Sequence, residues 1–208
     1  MFPASEKTGF LGGTFDPLHI GHLIIAQDAR EQLGLDQVYF VPAARAPLKD
    51  RQPEASDAQR MAMIQAAIEG QPHLAMLDWE MQASGKSYTV NTARQLRDAA
   101  PDAPLFWIIG GDQVAQLSEW HAIEELAGLI DFIAVERPGH HPEPRHSIPN
   151  LRLHHVRGHA ISLSSTNVRE RFAAGLDNDL FLPPPVAEYI TNHNLYRKCA
   201  NSYGLSAN

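Results

Sequence analysis

The sequence is poor in cysteine, in basic charge and in long apolar runs. Its single cysteine, Cys199, excludes an internal disulfide and a cysteine-rich zinc site, which favours a reducing compartment. No apolar run reaches the length of a membrane span, and the opening MFPASEKTGF lacks the apolar core of a signal peptide. We therefore expect a cytoplasmic protein with no membrane partner.

Basic residues are outnumbered, with 17 Lys and Arg against 24 Asp and Glu, for a formal net charge of −7. Proteins that bind nucleic acids normally present a basic face, so we expect no nucleic acid polymer as a partner. Two phosphate-binding patterns are also missing. SGKSYT at 84–89 lacks the upstream glycine of a P-loop, because position 80 is Glu, and no GxGxxG precedes an acidic residue.

Strand-like and helix-like segments alternate along the 208 residues. This alternation predicts an α/β fold with a doubly wound parallel sheet, in one domain over 1–208 with a helical C-terminal portion at 160–196. Ser56 and Gln59 form a capping-box pattern, and Gly34 is a predicted helix stop. Two short helical pieces are expected at about 113–127. The predicted strands are GFLGG, QVYFVP, LAMLDWE, LFWIIGG, DFIAVE and LRLHHV.

The segment GGTFDPLHIGH, residues 12–22, follows the first predicted strand. Its glycines permit close backbone approaches, and a helix that begins near Pro17 would place His19 and His22 one turn apart on one face. Two imidazoles beside a glycine-rich helix N-terminus are a donor array for phosphate oxygens. A plain turn with two surface histidines and a zinc pair are the alternatives, although no third zinc ligand stands at a standard spacing.

A second segment, SSTNVRE at 164–170, lies where the last predicted strand gives way to a helix. Its hydroxyl residues can cap that helix, and the free N–H groups can face phosphates. Arg169 lies one turn further on. The alternative is a capped helix with a solvated arginine.

HIGH at 19–22 resembles the (T/H)xGH signature of nucleotidyltransferases, and LSSTNVR resembles their ISSTxxR element. Further stretches resemble the bacterial nicotinate-nucleotide adenylyltransferase family: VPAARAPLK, SYTVNT, WIIGGD with LSEWH, VERPG and the ending LPPPVAEYITNHNLY. The resemblance spans residues 9–196. It implies adenylyl transfer from ATP to nicotinate mononucleotide, giving nicotinate adenine dinucleotide and pyrophosphate, with Mg²⁺ carried mainly on the ATP phosphates.

The resemblance also implies roles for individual residues. His19, His22 and Arg169 would be catalytic. Thr89, Trp120 and His121 would bind the nicotinate nucleotide, whereas Trp79 and Trp107 are expected in the core. The residues implied in ATP binding are Gly12, Gly13, Thr14, Phe15, Lys49, Gly110, Asp112, Ser164, Ser165 and Thr166.

Two other functions stay open at this stage. The acceptor could be nicotinamide mononucleotide, or both pyridine mononucleotides, because the two differ by one charge at one contact. The second open function is that of a nucleotide-sensing domain without catalytic activity. In such a domain, however, the phosphate-binding residues would be expected to have been replaced. The sequence is compatible with a homo-oligomer and does not fix the oligomeric state.

Histidines also crowd into residues 140–159, but their spacing fits no standard zinc pattern. We expect a solvated loop and an exposed strand face there, with no metal site. These histidines are His140, His141, His146, His154, His155 and His159.

Overall fold

The computed structural model describes residues 6–45, 52–83, 85–136, 139 and 142–197. Lys49, His140, His141 and Cys199 lie outside the described residues. Six strands form one sheet: β1 (Thr8–Gly13), β2 (Gln37–Pro42), β3 (Leu74–Met76), β4 (Leu105–Gly110), β5 (Asp131–Glu136) and β6 (Leu153–Arg157).

Helices connect and flank these strands. A 3-10 turn at Leu117–Glu119 follows the fifth helix. The helices are α1 (Ile20–Leu33), α2 (Asp57–Ile68), α3 (Trp79–Gln82), α4 (Thr89–Ala99), α5 (Gly111–Val114), α6 (Ile123–Leu129), α7 (Ser165–Ala173) and α8 (Pro184–Asn192).

All neighbouring strands pair in parallel, in the order β3-β2-β1-β4-β5-β6. This is the doubly wound arrangement, and the predicted fold class is confirmed. The chain moves outward from β1 to β3, then returns to the centre at β4 and moves outward on the other side. The crevice between the carboxyl ends of β1 and β4 is therefore the topological switch point, where sheets of this kind bind ligands.

Alternation along the central strands separates two buried clusters, one on each face of the sheet. Leu11 and Ile108 belong to the cluster that α1, α2 and α8 cover. Phe10 and Ile109, their neighbours in sequence, belong to the cluster that α4 and α6 cover. Successive side chains of a strand point to opposite faces, so a strand covered on both faces is apolar at nearly every position. The continuous apolar runs in the sequence have this cause.

The predicted helix signals are confirmed in two places. Ser56 caps α2, since its hydroxyl accepts from the Gln59 N–H and the Gln59 side chain accepts from the Ser56 N–H. Gly34 ends α1 in the left-handed region at φ 62°. Across the described ranges, no helix combines the length and apolar character that crossing a membrane requires.

Two predictions about local structure were wrong. LAMLDWE was expected to be one strand, but only Leu74–Met76 pairs, and α3 begins at Trp79. Because β3 is an edge strand that pairs with β2 alone, the chain can turn away and bury Leu77 and Glu80 instead. The stretch 113–127 contains three short helical pieces rather than two, and the first of them already begins at Gly111.

Candidate active site

A cavity of about 810 Å³ lies at the switch point of the sheet. Its walls come from the carboxyl ends of β1 and β4, the start of α1 and the start of α7. Nearly all of the residues predicted for catalysis and ATP binding line it, namely Gly12, Gly13, Thr14, Phe15, His19, His22, Gly110, Asp112, Ser164, Ser165, Thr166 and Arg169. Lys49, the remaining predicted residue, lies outside the described residues.

Close packing explains the glycines at the end of β1. A Cβ atom at Gly12 would lie 2.6 Å from Cζ2 of Trp107, and one at Gly13 would lie 2.8 Å from Cζ of Phe15. Neither position can carry a side chain unless a ring moves. The two glycines therefore keep the backbone accessible from the cavity while large rings pack behind it.

The imidazoles of His19 and His22 lie face to face, with ring centroids 3.7 Å apart and planes 24° apart. The backbone N–H of His19 donates to Nδ1 of His22 at 3.1 Å. That contact makes Nδ1 of His22 an acceptor, so the neutral His22 ring carries its proton on Nε2. His22 also packs edge-to-face on Phe15, with centroids 5.0 Å apart. Its orientation is thus fixed from two sides.

His19 is buried, and within the described ranges its Nδ1 has no hydrogen-bond partner. Desolvation by burial lowers the pKa of His19 to about 4. The ring is therefore neutral at pH 7. A neutral imidazole with an unpartnered nitrogen beside a cavity can take a hydrogen bond from a ligand or donate one to it, depending on its tautomer.

The helix that carries this pair begins later than the sequence predicted. Pro17 was expected in the first turn, but α1 starts at Ile20 and His19 is its N-cap. The two histidines meet as N-cap and third helical residue, the spacing of a capping box, rather than along one helical face. Gly21 lies between them, and a Cβ there would lie 3.0 Å from the His19 ring. Its lack of a side chain makes room for that ring.

The start of α7 forms the opposite wall. Ser164 caps the helix by accepting from the Asn167 N–H at 3.1 Å, and the Ser165 hydroxyl donates to the Pro17 carbonyl at 2.9 Å. The predicted capping is thus confirmed for Ser164. Ser165 instead joins α7 to the loop that follows β1.

Arg169 lies on this wall with a 12% exposed side chain. Nη1 donates to the carbonyl of Asp16 at 2.7 Å, Nε to the carboxylate of Glu54 at 3.0 Å, and Nη2 to the Thr166 hydroxyl at 3.2 Å. A guanidinium has five N–H donors, so these three contacts hold the head group and leave two donors for a ligand.

A second cavity of about 390 Å³ adjoins the first, and the two share Gly12, Gly13 and Thr14. The three residues predicted for the nicotinate nucleotide, Thr89, Trp120 and His121, all line it. Lys86, Glu80 and Trp107 contribute to the same walls. Trp107 is buried as predicted, but it faces this cavity as well as the core.

Sequence reasoning missed several residues that hold the site together. Glu80 is buried and accepts from the Thr92 hydroxyl at 2.7 Å, and burial raises its pKa. Arg60 is fully buried and donates to the carbonyls of Thr14 and Ala43, both at 2.7 Å. The sequence placed Glu80 at the end of a predicted strand and Arg60 in a predicted helix, and their partners are distant in sequence.

The histidines near β6 pair with carboxylates. His154 contacts Asp131 at 3.0 Å, and His159 contacts Asp28 at 2.9 Å. His155 pairs with Glu136 in the same way. Within the described part of the chain, no three His, Cys, Asp or Glu side chains are grouped so that they could hold a metal ion.

Comparison with known proteins agrees with this arrangement. The cytidylyltransferase-like family model matches residues 10–171. A probable nicotinate-nucleotide adenylyltransferase of Opitutus terrae is 48% identical over 191 residues, which cover 92% of this chain and 98% of the relative. The chain belongs to the nicotinate-nucleotide adenylyltransferase family. Its counterpart in Shouchella clausii is 40% identical over 92% of this chain and 97% of that protein.

Solved structures of the adenylyltransferase family share the fold. The nicotinic acid mononucleotide adenylyltransferase of Plasmodium falciparum, solved in complex with NaAD, superimposes with a TM-score of 0.71 at 19% identity. The match covers 92% of this chain and 97% of that one. The same enzyme in complex with APC gives a TM-score of 0.70.

Proposed function

We propose that this protein transfers the adenylyl group of ATP to nicotinate mononucleotide, giving nicotinate adenine dinucleotide and pyrophosphate. The observation that carries the proposal is the pair of adjoining cavities, which meet at Gly12, Gly13 and Thr14. The larger cavity suits a nucleoside triphosphate, and the smaller one suits an aromatic nucleotide. The stacked histidines line the larger cavity, and the α-phosphorus of ATP would have to meet the attacking phosphate where the two cavities join.

In this mechanism a phosphate oxygen of the mononucleotide forms a bond to the α-phosphorus of ATP. The bond from that phosphorus to the bridging oxygen breaks, and the electron pair leaves with pyrophosphate. No protein nucleophile takes part. Catalysis then depends on positioning, which supplies about 7–11 kcal/mol in favourable cases, and on stabilising charge at the leaving group.

His22 would stabilise that charge through Nε2–H, since its Nδ1 is already engaged by the His19 N–H. His19 would contribute a neutral imidazole, which adds a directional contact without a full charge. Arg169 and the start of α7 would hold the β- and γ-phosphates, because the helix N-terminus offers free N–H groups and Arg169 a cation.

The donors in the larger cavity are imidazoles, hydroxyls, backbone N–H groups and a guanidinium, which suit phosphate oxygens. A protein cage for Mg²⁺ would instead need several carboxylates in one place. We therefore write the substrate as MgATP, with the ion bound mainly by phosphates and water. Its contribution would be to neutralise charge on the departing pyrophosphate.

On the acceptor side, Trp120 would stack on the nicotinate ring and the start of α4 at Thr89 would face its carboxylate. Residues 160–196 would form the helical portion that closes the ATP side of a single domain. Two bonds support that role: the Ile20 N–H donates to the Phe181 carbonyl at 3.1 Å, and Ser165 donates to Pro17.

The test is a side-by-side assay of pyrophosphate release from MgATP with nicotinate or nicotinamide mononucleotide as the acceptor. We expect release with nicotinate mononucleotide, together with nicotinate adenine dinucleotide detected by mass spectrometry. Faster turnover of nicotinamide mononucleotide would make the chain a nicotinamide enzyme. An absence of pyrophosphate with either acceptor would refute adenylyl transfer.

A further inference from the structure

Tyr196, close to the end of the described chain, reaches back to the loop after β1. Its hydroxyl donates to Oδ1 of Asp16 at 2.7 Å across 180 residues of sequence. Both side chains are buried. Burial, followed by the charge of Asp16, raises the pKa of Tyr196 above its ordinary value. The phenol therefore remains a donor at every pH at which the protein works.

Asp16 joins the phosphate-binding wall to two other segments. Oδ2 accepts from the Glu54 N–H at 2.8 Å and Oδ1 from the Ala55 N–H at 3.1 Å. Its backbone carbonyl accepts from Nη1 of Arg169 at 2.7 Å. The same Nη1 lies 3.8 Å from Oδ2, beyond hydrogen-bond distance. Arg169 is thus hydrogen-bonded to the backbone of Asp16, whereas its contact with the carboxylate is an ion pair without a hydrogen bond.

The Tyr196 hydroxyl helps to keep Arg169 in that position. A buried carboxylate has lone pairs for about four donors, and each one left unpaired has a cost. With the phenol and two backbone N–H groups in place, Asp16 has three short donors besides the nearby cation. Without the phenol, the carboxylate would draw Nη1 of Arg169 inward from 3.8 Å. A guanidinium that bonds to Asp16 in this way is less available to phosphates.

We propose that Tyr196 is a positioning residue for MgATP, which acts through Asp16 by keeping the Arg169 guanidinium directed at the phosphates. The proposal rests on the proposed function for its substrate. It ties the C-terminal end of the fold to the ATP side of the reaction, since Asp16 and Arg169 line the larger cavity and not the smaller one.

The test compares Tyr196→Phe with Tyr189→Phe, which removes a hydroxyl from the outer part of α8. Steady-state kinetics give KM for ATP, KM for nicotinate mononucleotide and kcat, and calorimetry gives Kd for a non-hydrolysable ATP analogue. We expect Tyr196→Phe to raise both KM for ATP and the analogue Kd by about 2- to 10-fold, as the loss of one hydrogen bond implies. KM for nicotinate mononucleotide should stay within twofold, and Tyr189→Phe should change none of these constants.

Asp16→Asn completes a double-mutant cycle and keeps the proposal testable if Tyr196→Phe folds poorly. With the carboxylate charge removed, nothing draws Arg169 inward, so adding Tyr196→Phe should change the analogue Kd by less than twofold. Additive effects in the cycle would overturn the proposal, and so would an unchanged analogue Kd in Tyr196→Phe. Analogue binding needs no turnover. A wild-type protein that binds the analogue but releases no pyrophosphate would refute the proposed function. The analogue Kd of Tyr196→Phe would then still decide the role of Tyr196.

Discussion

His19 and His22 stack with their ring centroids 3.7 Å apart, and the backbone N–H of His19 donates to Nδ1 of His22. Because Nδ1 of His22 accepts that bond, the proton of the neutral ring lies on Nε2, and one histidine orients the other. The arrangement gives His22 a single N–H donor of defined direction, whereas the burial of His19 keeps that ring uncharged at neutral pH. The two residues are of the same type, but their chemical properties differ.

Replacing His22 with alanine should leave the fold intact and lower kcat by about 10²–10³, the usual loss when one donor to a developing negative charge is removed. The measurement is pyrophosphate release at saturating substrates. His193→Ala, at the exposed end of α8, is the control and should turn over normally. Near-normal kcat in His22→Ala would remove His22 from the mechanism.

The lowered pKa of His19 predicts a pH dependence of stability. In the unfolded chain His19 titrates near 6.5, and in the folded protein near 4. Between those values the unfolded state binds more protons, so the free energy of unfolding should fall as the pH decreases from about 6.5 to 4. The loss amounts to about 3 kcal/mol. It should be complete below pH 4 and absent above pH 7.

His19→Gln isolates this contribution, because other groups titrate equally in both proteins. Urea unfolding at pH 7.5 and 4.5 gives the free energy of unfolding for each. We expect the wild-type protein to lose more stability than His19→Gln between the two pH values. Equal losses would show that burial does not hold the His19 ring neutral.

Gly12 should not tolerate even a methyl group. A Cβ atom would lie 2.6 Å from Trp107, a buried ring, so Gly12→Ala forces the indole to move at a cost of about 1–3 kcal/mol. Because Trp107 also lines the smaller cavity, KM for nicotinate mononucleotide should rise. Gly128→Ala in α6 is the matched control, since among the described residues no atom outside its own helix turn lies within 4 Å of its Cβ position. That variant should be neutral or slightly more stable, and equal stability of the two variants would contradict the packing argument.

Much of this structure is local and was therefore visible in the sequence. The apolar runs of β1, β4 and β5 follow from burial on both faces, and the Ser56–Gln59 cap and the Gly34 stop depend on neighbouring residues only. The late start of α1 was not visible in the sequence, because an Asp-Pro pair is compatible with a helix that begins at Pro17 and with one that begins at Ile20. In this chain His19 is the N-cap, and Pro17 lies before the helix rather than in its first turn.

Contacts between distant segments could not be predicted. Nothing near Tyr196 indicates a partner 180 residues away, and the pattern around Glu80 predicts a strand end rather than a buried carboxylate bonded to Thr92. The tertiary packing determines such pairs, since a buried polar group forms its hydrogen bond with whichever partner the surrounding elements place nearby. The family resemblance indicated which residues line the cavities, and only the structure indicated what holds them.

Arg60 joins the loops that follow β1 and β2, through the carbonyls of Thr14 and Ala43. Nη1 donates to both carbonyls while Nη2 donates to the Asp57 carboxylate, so a lysine, which has one nitrogen, cannot keep all three contacts. Arg60→Lys should therefore leave at least one of these partners unpaired and cost about 1–3 kcal/mol. Chemical denaturation gives the difference. Arg94→Lys, in an exposed pair with Glu125, should change stability by less than about 0.5 kcal/mol. Similar effects of the two substitutions would mean that the second nitrogen of the Arg60 guanidinium adds nothing to stability.

Lys86 should contribute to the choice between the two pyridine mononucleotides. It is the lysine on the wall of the smaller cavity, where the nicotinate carboxylate would add a negative charge that the nicotinamide amide lacks. Lys86→Gln should therefore lower kcat/KM for nicotinate mononucleotide and leave the nicotinamide value unchanged. Because Lys86 is exposed, the ratio of the two should fall only about two- to fivefold, and less at high salt. Lys7→Gln, at the amino end of β1 and away from both cavities, controls for net charge and should keep the wild-type ratio. If Lys86→Gln also kept that ratio, selection for the carboxylate would have to come from the backbone donors near Thr89 alone.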